Sequence, residues 1–423
     1  MTATHHGSPR AERWDVVVVG ASLAGCSTAI VLARAGLRVA LVDRRPDPAA
    51  FKRVCGHFIQ PSALPALERL GLLEPIRSAG AAGTRLAIRS PWGWIEQSPQ
   101  ALLPNGLNLR RERMDPLVRG IATETPGVEP MLGWAADALR FDGGRVSGIR
   151  LRSRDGEERR IDAQLVVGAD GRGSTIAELA GLPRRESAHG RFCYAAYYED
   201  PRPERDVSRV WLMDPQWGAE FPTDAGLTLY TCMPTMDRLP HFKRDLPGAF
   251  KEFVAAMPEP PPIAAARLRS PLFGKISMPN VSHRAAGNGV ALVGDAALAV
   301  DPLAGVGCGW AFEGAVRLGD ALAPALLGEE PLGPALRRYR RRHWLALTGH
   351  TRSIVDYASG RRFDGAERIV FSAATRDQRL ADTLHAFGTR SIGLAQTMVT
   401  ALPRVLVSSL PGRAPLGRPR VEA

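Results

Sequence analysis

Residues 16–34 read VVVVGASLAGCSTAIVLAR, and no other stretch limits the possible folds so sharply. Four consecutive valines form a β-branched run suited to a strand buried on both faces. Gly20, Ser22 and Gly25 then fall at the spacing of the glycines in a dinucleotide-binding strand–turn–helix. At Gly20 a tight turn is allowed, and at Gly25 the new helix can lie close to the strand. Ser22 takes the middle position, where the backbone approaches a pyrophosphate and the helix N-terminus supplies free N–H groups. A second apolar run, residues 37–42 (LRVALV), ends in Asp43, about twenty residues past the glycines, where a carboxylate can hold ribose hydroxyls. Arg44 and Arg45 follow and read as a solvated pair near phosphates; an acid at position 43 argues against a 2′-phosphorylated ribose.

A chain of 423 residues can build two or three packed units. At 45% hydrophobic and 23% charged residues its composition is that of an ordinary globular protein. The five cysteines (Cys26, Cys55, Cys193, Cys232, Cys308) are scattered and odd in number, which points to a reducing compartment without a disulfide framework; no zinc-ligand spacing exists. The 18 uncharged residues 16–33 are interrupted by Gly20, Ser22, Gly25, Ser27 and Thr28, and neither a membrane span nor a cleaved signal is expected. A cytoplasmic location follows as an expectation. The net charge of +12 comes from arginines spread along the chain without interleaved aromatics, so no nucleic-acid partner is expected.

Along the chain, residues 1–13 read as a disordered leader and 14–45 as the βαβ opening. Residues 53–73 read as a loop followed by a short helix ending near Gly71, and 82–107 as short strands. A helix is predicted over 109–124 and a buried strand over 164–170. Residues 190–235 alternate like strands and are rich in aromatics. PEPPP at 258–262 marks a loop, 290–294 a further buried strand, 309–327 a helix, and the tail from 336 a mostly helical region.

Two more strand-end turns carry glycine and an acid. In 166–181, VVGADGRGSTIAELAG, a strand runs into Asp170–Gly171 and a helix starts near Ser174, with Thr175 and Glu178 spaced as a capping box. In 287–315, GNGVALVGDAALAVDPLAGVGCGWAFEGA, a strand ends in Gly294–Asp295. Asp301–Pro302 turns the chain, and Gly305, Gly307 and Gly309 lead into a helix. Glycines there let a flat ligand approach the main chain, and the helix start offers N–H groups to an electron-rich ring.

These three turns, in this order, resemble the FAD-dependent oxidoreductases of the para-hydroxybenzoate hydroxylase fold, over residues 14–325. That superfamily holds aromatic hydroxylases, epoxidases, geranylgeranyl-type reductases and flavin halogenases. The resemblance implies an α/β protein: a Rossmann-like FAD-binding domain in a three-layer β/β/α arrangement, interleaved with a mostly antiparallel substrate-domain sheet, plus a helical C-terminal region. The FAD-binding domain would comprise 14–81, 107–182 and 283–335, the substrate domain 82–106 and 183–282, and the helical region 336–423. Ser22, Leu23, Ala24 and Gly25 would cradle the FAD pyrophosphate, with Gly20 at the turn and Asp43 on the adenosine ribose. Arg44, Arg53, Arg111 and Ala136 would lie against the cofactor. Asp170 and Gly171 match a motif tied to FAD and to transient NAD(P)H binding. Asp295 would bind the ribityl chain, and Pro302, Gly305, Val306 and Gly307 would lie along the isoalloxazine ring.

In such enzymes the protein positions and tunes the flavin and excludes water, while the cofactor carries the reaction. NAD(P)H-dependent monooxygenation of an apolar or aromatic small molecule in specialised metabolism, through a flavin hydroperoxide kept dry, is the favoured chemistry. Tyr194, Tyr197, Trp211, Trp217 and Phe221 are candidate pocket residues. The alternative is a flavin reductase of carbon–carbon double bonds: Cys55–Gly56 in KRVCGHFIQPSAL and WGAEFPT at 217–223 resemble the geranylgeranyl reductase branch. Leu298 stands where aromatic hydroxylases carry a histidine. Cys55 is a candidate catalytic thiol, with a buried structural cysteine as the competing reading. PWGWIE at 91–96 resembles the two-tryptophan halogenase motif only superficially.

Overall fold

The computed structural model describes residues 12–98, 101 and 104–408. The valine run becomes the centre of a parallel sheet because it is covered on both faces: Val16, Val17 and Val18 are fully buried. The strand Glu12–Val19 lies between Val39–Asp43 and Glu158–Gly168, parallel to both, with Val16 opposite Val39 and Leu165. Val290–Leu292 extends the sheet beside Glu158–Gly168, and Val128–Leu132 beside Val39–Asp43. A hairpin of Trp134–Asp142 and Arg145–Ser153 pairs antiparallel with the start of Glu158–Gly168 and forms a further layer. The helices Leu23–Arg34 and Gly307–Leu326 pack together, so closely that a Cβ on Gly319 would lie 2.9 Å from two methyl carbons of Val31.

The second sheet has ten strands. Cys193–Glu199, Leu227–Met233, Gln216–Pro222 and Val207–Met213 run antiparallel in that spatial order, and Ala82–Ser90 joins Val207–Met213 in parallel. Period-two alternation gives the sheet two apolar faces. Cys193, Ala195, Trp217, Phe221 and Leu229 share one; Tyr198, Trp211, Tyr230 and Cys232 share the other, with Phe242 and Phe250 of the helices Leu239–Arg244 and Leu246–Ala255 among them.

Four helices close the described chain: Leu332–Ala358, Gly365–Ala374, Gln378–Gly388 and Leu394–Ser408. Tyr339 donates its hydroxyl to Leu292 O at 2.7 Å, tying the long helix to the last parallel strand. Ile95, on the short strand Gly93–Glu96, is buried with Ala373, Leu380 and Ala381. No helix among the described residues is long and apolar enough to cross a membrane.

Several boundaries differ from expectation. The first strand already includes Glu12 and Arg13, while the rest of the expected leader, residues 1–11, lies outside the described residues. The helix expected from 109 starts at Arg111, and the one expected from 309 starts at Gly307, so Gly307 and Gly309 lie inside it. The expected Thr175–Glu178 capping box does not form. Ser174 is the N-cap, and its hydroxyl accepts from Ala177 N, because Thr175 is already the first helical residue.

Candidate cofactor and substrate cavity

A cavity of about 820 Å³ is walled by residues of both sheets and by the start of the helix Gly307–Leu326. That volume lies toward the upper end of small-molecule and cofactor sites, which span ~300–1,000 Å³. Of the residues singled out in the sequence, Gly20, Ser22, Leu23, Ala24, Asp43, Arg44, Arg53, Cys55, Arg111, Ala136, Asp170, Gly171, Asp295, Pro302, Gly305, Val306 and Gly307 all line it, together with Trp217 and Phe221. Gly25 does not. Its role is packing: a Cβ there would lie 1.7 Å from Gly20 O. Gly20 itself has φ +108°, and a Cβ on it would come within 2.4 Å of Ala169 O, so strand, turn and helix close only around these two glycines.

The opening helix offers its first-turn N–H groups to the cavity. Ser22, its N-cap, makes no side-chain cap and accepts instead from Arg111 Nη2 at 2.9 Å. Asp43 is buried and accepts from Ala21 N at 2.8 Å. Its other oxygen accepts from the backbone and side chain of Arg45, at 2.9 and 3.1 Å. Burial pushes its carboxyl up, but the bonds from Arg45 and Ala21 outweigh burial and hold it below the ordinary range. Arg44 and Arg45 both line the cavity; Arg45 also bonds Asp43, while its side chain stays partly exposed.

Asp170 caps a helix: it accepts from Ser174 Oγ at 2.6 Å and from Ile176 N at 3.1 Å, and burial raises its carboxyl. Gly171 and Gly307 are open, with no atom within 4 Å of an added Cβ. Asp295 pairs with Lys52 Nζ at 2.8 Å; burial opposes ionisation there, but Lys52, Arg172 and Arg111 keep the carboxyl below its usual range. Arg111 is buried and held by Asp115 Oδ1.

The far wall is apolar: Ala195, Trp217, Phe221, Leu229, Phe273 and Met278. Two of the five candidate pocket aromatics belong elsewhere. Tyr194 stacks on Phe242 and Trp211 donates its indole N–H to Pro258 O at 2.8 Å, both on the face away from the cavity. Each sits one residue out of phase with Cys193, Ala195, Val210 and Leu212, which share the sheet face on the cavity side. Tyr197 shares the cavity side of the sheet and bonds His57 Nε2 rather than lining the cavity itself. Trp92 and Trp94 lie off the cavity too, packed against Phe363 and Trp211, which leaves the halogenase-like motif without a place in the site.

Lys52, His57, Arg172, Lys275, Cys308 and Trp310 are among the further lining residues, and the sequence reading does not single them out as ligands of the site. Lys52 and His57 flank the noted Cys55, and that proximity was the available signal. His57 holds φ +63° and its Nδ1 accepts from Arg111 N at 3.3 Å. In the neutral ring the proton is then on Nε2, donating to Tyr197 Oη. Burial lowers the His57 pKa to about 4, so the ring is neutral at pH 7. The indole nitrogens of Trp217 and Trp310, both on the cavity wall, are buried without a hydrogen-bond partner.

A parallel sheet with a glycine-turn nucleotide cradle, joined to an antiparallel sheet by one cavity, defines a flavoprotein oxidoreductase of the para-hydroxybenzoate hydroxylase fold. The chain belongs to the FAD binding domain family, whose pattern matches residues 13–226. It is 28% identical over 397 residues to kynurenine 3-monooxygenase of Salinispora tropica, covering 87% of this chain and 84% of that one. It is 30% identical over 329 residues to menaquinone reductase of Mycolicibacterium smegmatis, covering 71% and 74%. The structure of p-nitrophenol 4-monooxygenase from Pseudomonas putida superposes with a TM-score of 0.73 at 23% identity, over 90% of this chain and 99% of that one, a likeness of fold. The protein is an FAD-dependent oxidoreductase of the monooxygenase family.

Proposed function

We propose that the protein is an NAD(P)H-dependent monooxygenase that hydroxylates or epoxidises an apolar or aromatic small molecule of specialised metabolism, in the cytoplasm. The observation that carries this reading is the apolar wall of Trp217, Phe221, Leu229, Phe273 and Met278, continuous with the polar end of the same cavity. The residues present fit FAD: uncapped N–H groups at Leu23–Gly25 with Arg44 and Arg53 for a pyrophosphate, Asp43 for ribose hydroxyls, Asp295 for the ribityl chain, and open backbone at Gly307 for the ring. Bound there, FAD supplies hydride acceptance and oxygen activation.

The chain's own part is positioning and desolvation. The apolar wall keeps water from the reacting face, which strengthens every electrostatic interaction inside. Trp217 and Trp310 give the cavity flat aromatic walls, and their buried indole nitrogens have no hydrogen-bond partner, an acceptor on a ligand reaching them being the expected complement. Because His57 Nε2–H donates to Tyr197 Oη, the phenol proton of Tyr197 is left for another acceptor.

Oxygen uptake coupled one-to-one to NAD(P)H oxidation in the presence of a flat, oxygen-bearing apolar compound supports the reading, and full turnover under strict anaerobiosis overturns it. The second reading, a reductase of carbon–carbon double bonds, is favoured by the menaquinone reductase relative and by Cys55 on the cavity wall; anaerobic turnover is its expected result.

A further inference from the structure

Cys55 and Cys308 are 253 positions apart in the chain, yet their sulfurs are 3.7 Å apart on the wall of the cavity. Cys55 sits in the irregular segment 53–57, and its Sγ accepts from His57 N at 3.4 Å and from Arg111 Nη1 at 3.5 Å. Cys308 is the second residue of the 20-residue helix Gly307–Leu326, whose N-cap Val306 provides no side-chain cap. Positive charge from Arg111 and from the helix N-terminus thus converges on one pair of thiols that share a proton. The hydrogen bond from Cys308, reinforced by Arg111 and Lys52, outweighs burial and holds the Cys55 thiol well below its usual range, while the same bond and burial hold Cys308 above it. The remaining cysteines have no such setting. Burial pushes Cys26 up to about 12 and Cys193 to about 11, and Cys232 is enclosed on the far face of the second sheet.

We propose that Cys55 and Cys308 are a redox-active pair that forms a reversible disulfide when a hydroperoxide enters the cavity, with Cys55 as the attacking thiolate and Cys308 as the resolving thiol. The Cys55 thiolate attacks one oxygen of the hydroperoxide, the O–O bond breaks, and the departing oxygen takes a proton and leaves as water or an alcohol. Cys55 is then a sulfenic acid. The Cys308 sulfur attacks it, the S–O bond breaks, and the hydroxide leaves as water with the Cys308 proton. Sulfur is oxidised by two electrons and the peroxide reduced by two. A dithiol reverses the bond by exchange through a mixed disulfide. Bond formation needs the sulfurs to close to ~2.05 Å, a movement the irregular segment 53–57 can supply. The bond would ligate that segment to the helix and withdraw the sulfur that accepts from Arg111 and from His57 N. The inference holds for either substrate chemistry and goes beyond both.

The test uses the full-length, flavin-loaded protein, treated with hydrogen peroxide, denatured in alkylating reagent and analysed by intact mass and peptide mapping. The expected result is loss of two of the five alkylatable thiols, a linked peptide joining Cys55 to Cys308, and recovery of both thiols with dithiothreitol. In Cys308→Ser the expected product is a Cys55 sulfenic acid trapped by dimedone, and Cys232→Ser should form the same disulfide as the native chain. Retention of all five thiols overturns the proposal. So does linkage of a different pair, or an unlinked, dimedone-reactive Cys55 in the native chain to the same extent as in Cys308→Ser.

Discussion

Replacing Gly25 by alanine tests whether the opening turn is built around backbone contact. An added Cβ would lie 1.7 Å from Gly20 O and 3.0 Å from Gly20 C, with Ala169 Cβ at 3.2 Å behind. The nearest atom is a backbone carbonyl held in a strand-end turn, so no side chain can rotate away. Relief requires the helix Leu23–Arg34 to move off the strand, and overpacking of this kind costs about 1–3 kcal/mol, the upper value where backbone must shift. The displaced helix takes with it the N–H groups at Leu23 and Ala24 that face the cavity. A ligand that needs them in place must restore the strained arrangement, so ~3 kcal/mol appears as roughly 100-fold weaker FAD binding. The assay is titration of the apoprotein with FAD, read by quenching of flavin fluorescence, beside a thermal melt. Gly120→Ala is the control. That glycine lies in the helix Arg111–Glu124 with no atom within 4 Å of an added Cβ, and the change should stabilise by about 0.5–1 kcal/mol without altering FAD affinity. A Gly25→Ala protein that binds FAD within about threefold of the native affinity would refute the reasoning, since threefold corresponds to well under 1 kcal/mol.

Asp295→Ala removes the partner of Lys52 and a charged acceptor from the cavity wall; FAD affinity should fall about 10–100-fold, the worth of a hydrogen bond to a charged group, and full flavin absorbance after purification would contradict the placement. His57 is held neutral by burial, with a pKa of about 4 against an ordinary 6.5. As pH falls below ~6.5 the unfolded chain takes up a proton that the folded chain refuses, so stability is lost down to about pH 4, by at most about 3 kcal/mol from this group. Denaturant unfolding of native and His57→Asn proteins between pH 7 and pH 4 should show the shallower pH dependence in the variant, and parallel curves would count against it. Trp217→Phe keeps the apolar wall but deletes the unpartnered indole N–H; KM should rise about 2–10-fold with kcat little changed, as for loss of one neutral hydrogen bond, and an unaltered KM would show that this donor meets no ligand.

The parts of the fold set by local chemistry were legible in the chain. Val16 to Val19 read as a buried strand, and Gly20, Asp43, Gly171 and Asp295 mark strand ends that the structure brings to one cavity. Other features depend on pairs distant in sequence and have no local signature. Cys55 meets Cys308, and Lys52 meets Asp295 across 243 positions, through the closing of the sheet by Val290–Leu292. All five cysteines are free, and nothing in their spacing signals that the fold brings Cys55 and Cys308 within 3.7 Å. Strand alternation in 190–235 was visible, but its phase was not. Tyr194 and Tyr197 have opposite parity, and which parity faces the cavity is decided by the helices Leu239–Arg244 and Leu246–Ala255 covering the other side. The bond from Arg45 to Asp43 has no local signature either, because it depends on the turn that follows the strand.

The cavity wall also sets a timetable for synthesis. Its residues run from Val19 to Ala311, so at ribosomal rates of ~5–20 residues per second a nascent chain waits roughly 15–60 s between the first cradle residue and the last across some 290 positions. From Gly168 to Leu292, a little over two fifths of that interval, the finished strand Glu158–Gly168 lacks the neighbour that Val290–Leu292 later provides, and a row of unpaired backbone groups on Val166, Val167 and Gly168 is open to the wrong partner. The nucleotide cradle emerges first but cannot close around its ligand until almost three quarters of the chain has been made. Loading with flavin is therefore a late event, and the cofactor cannot guard that sheet edge while the chain is still being made.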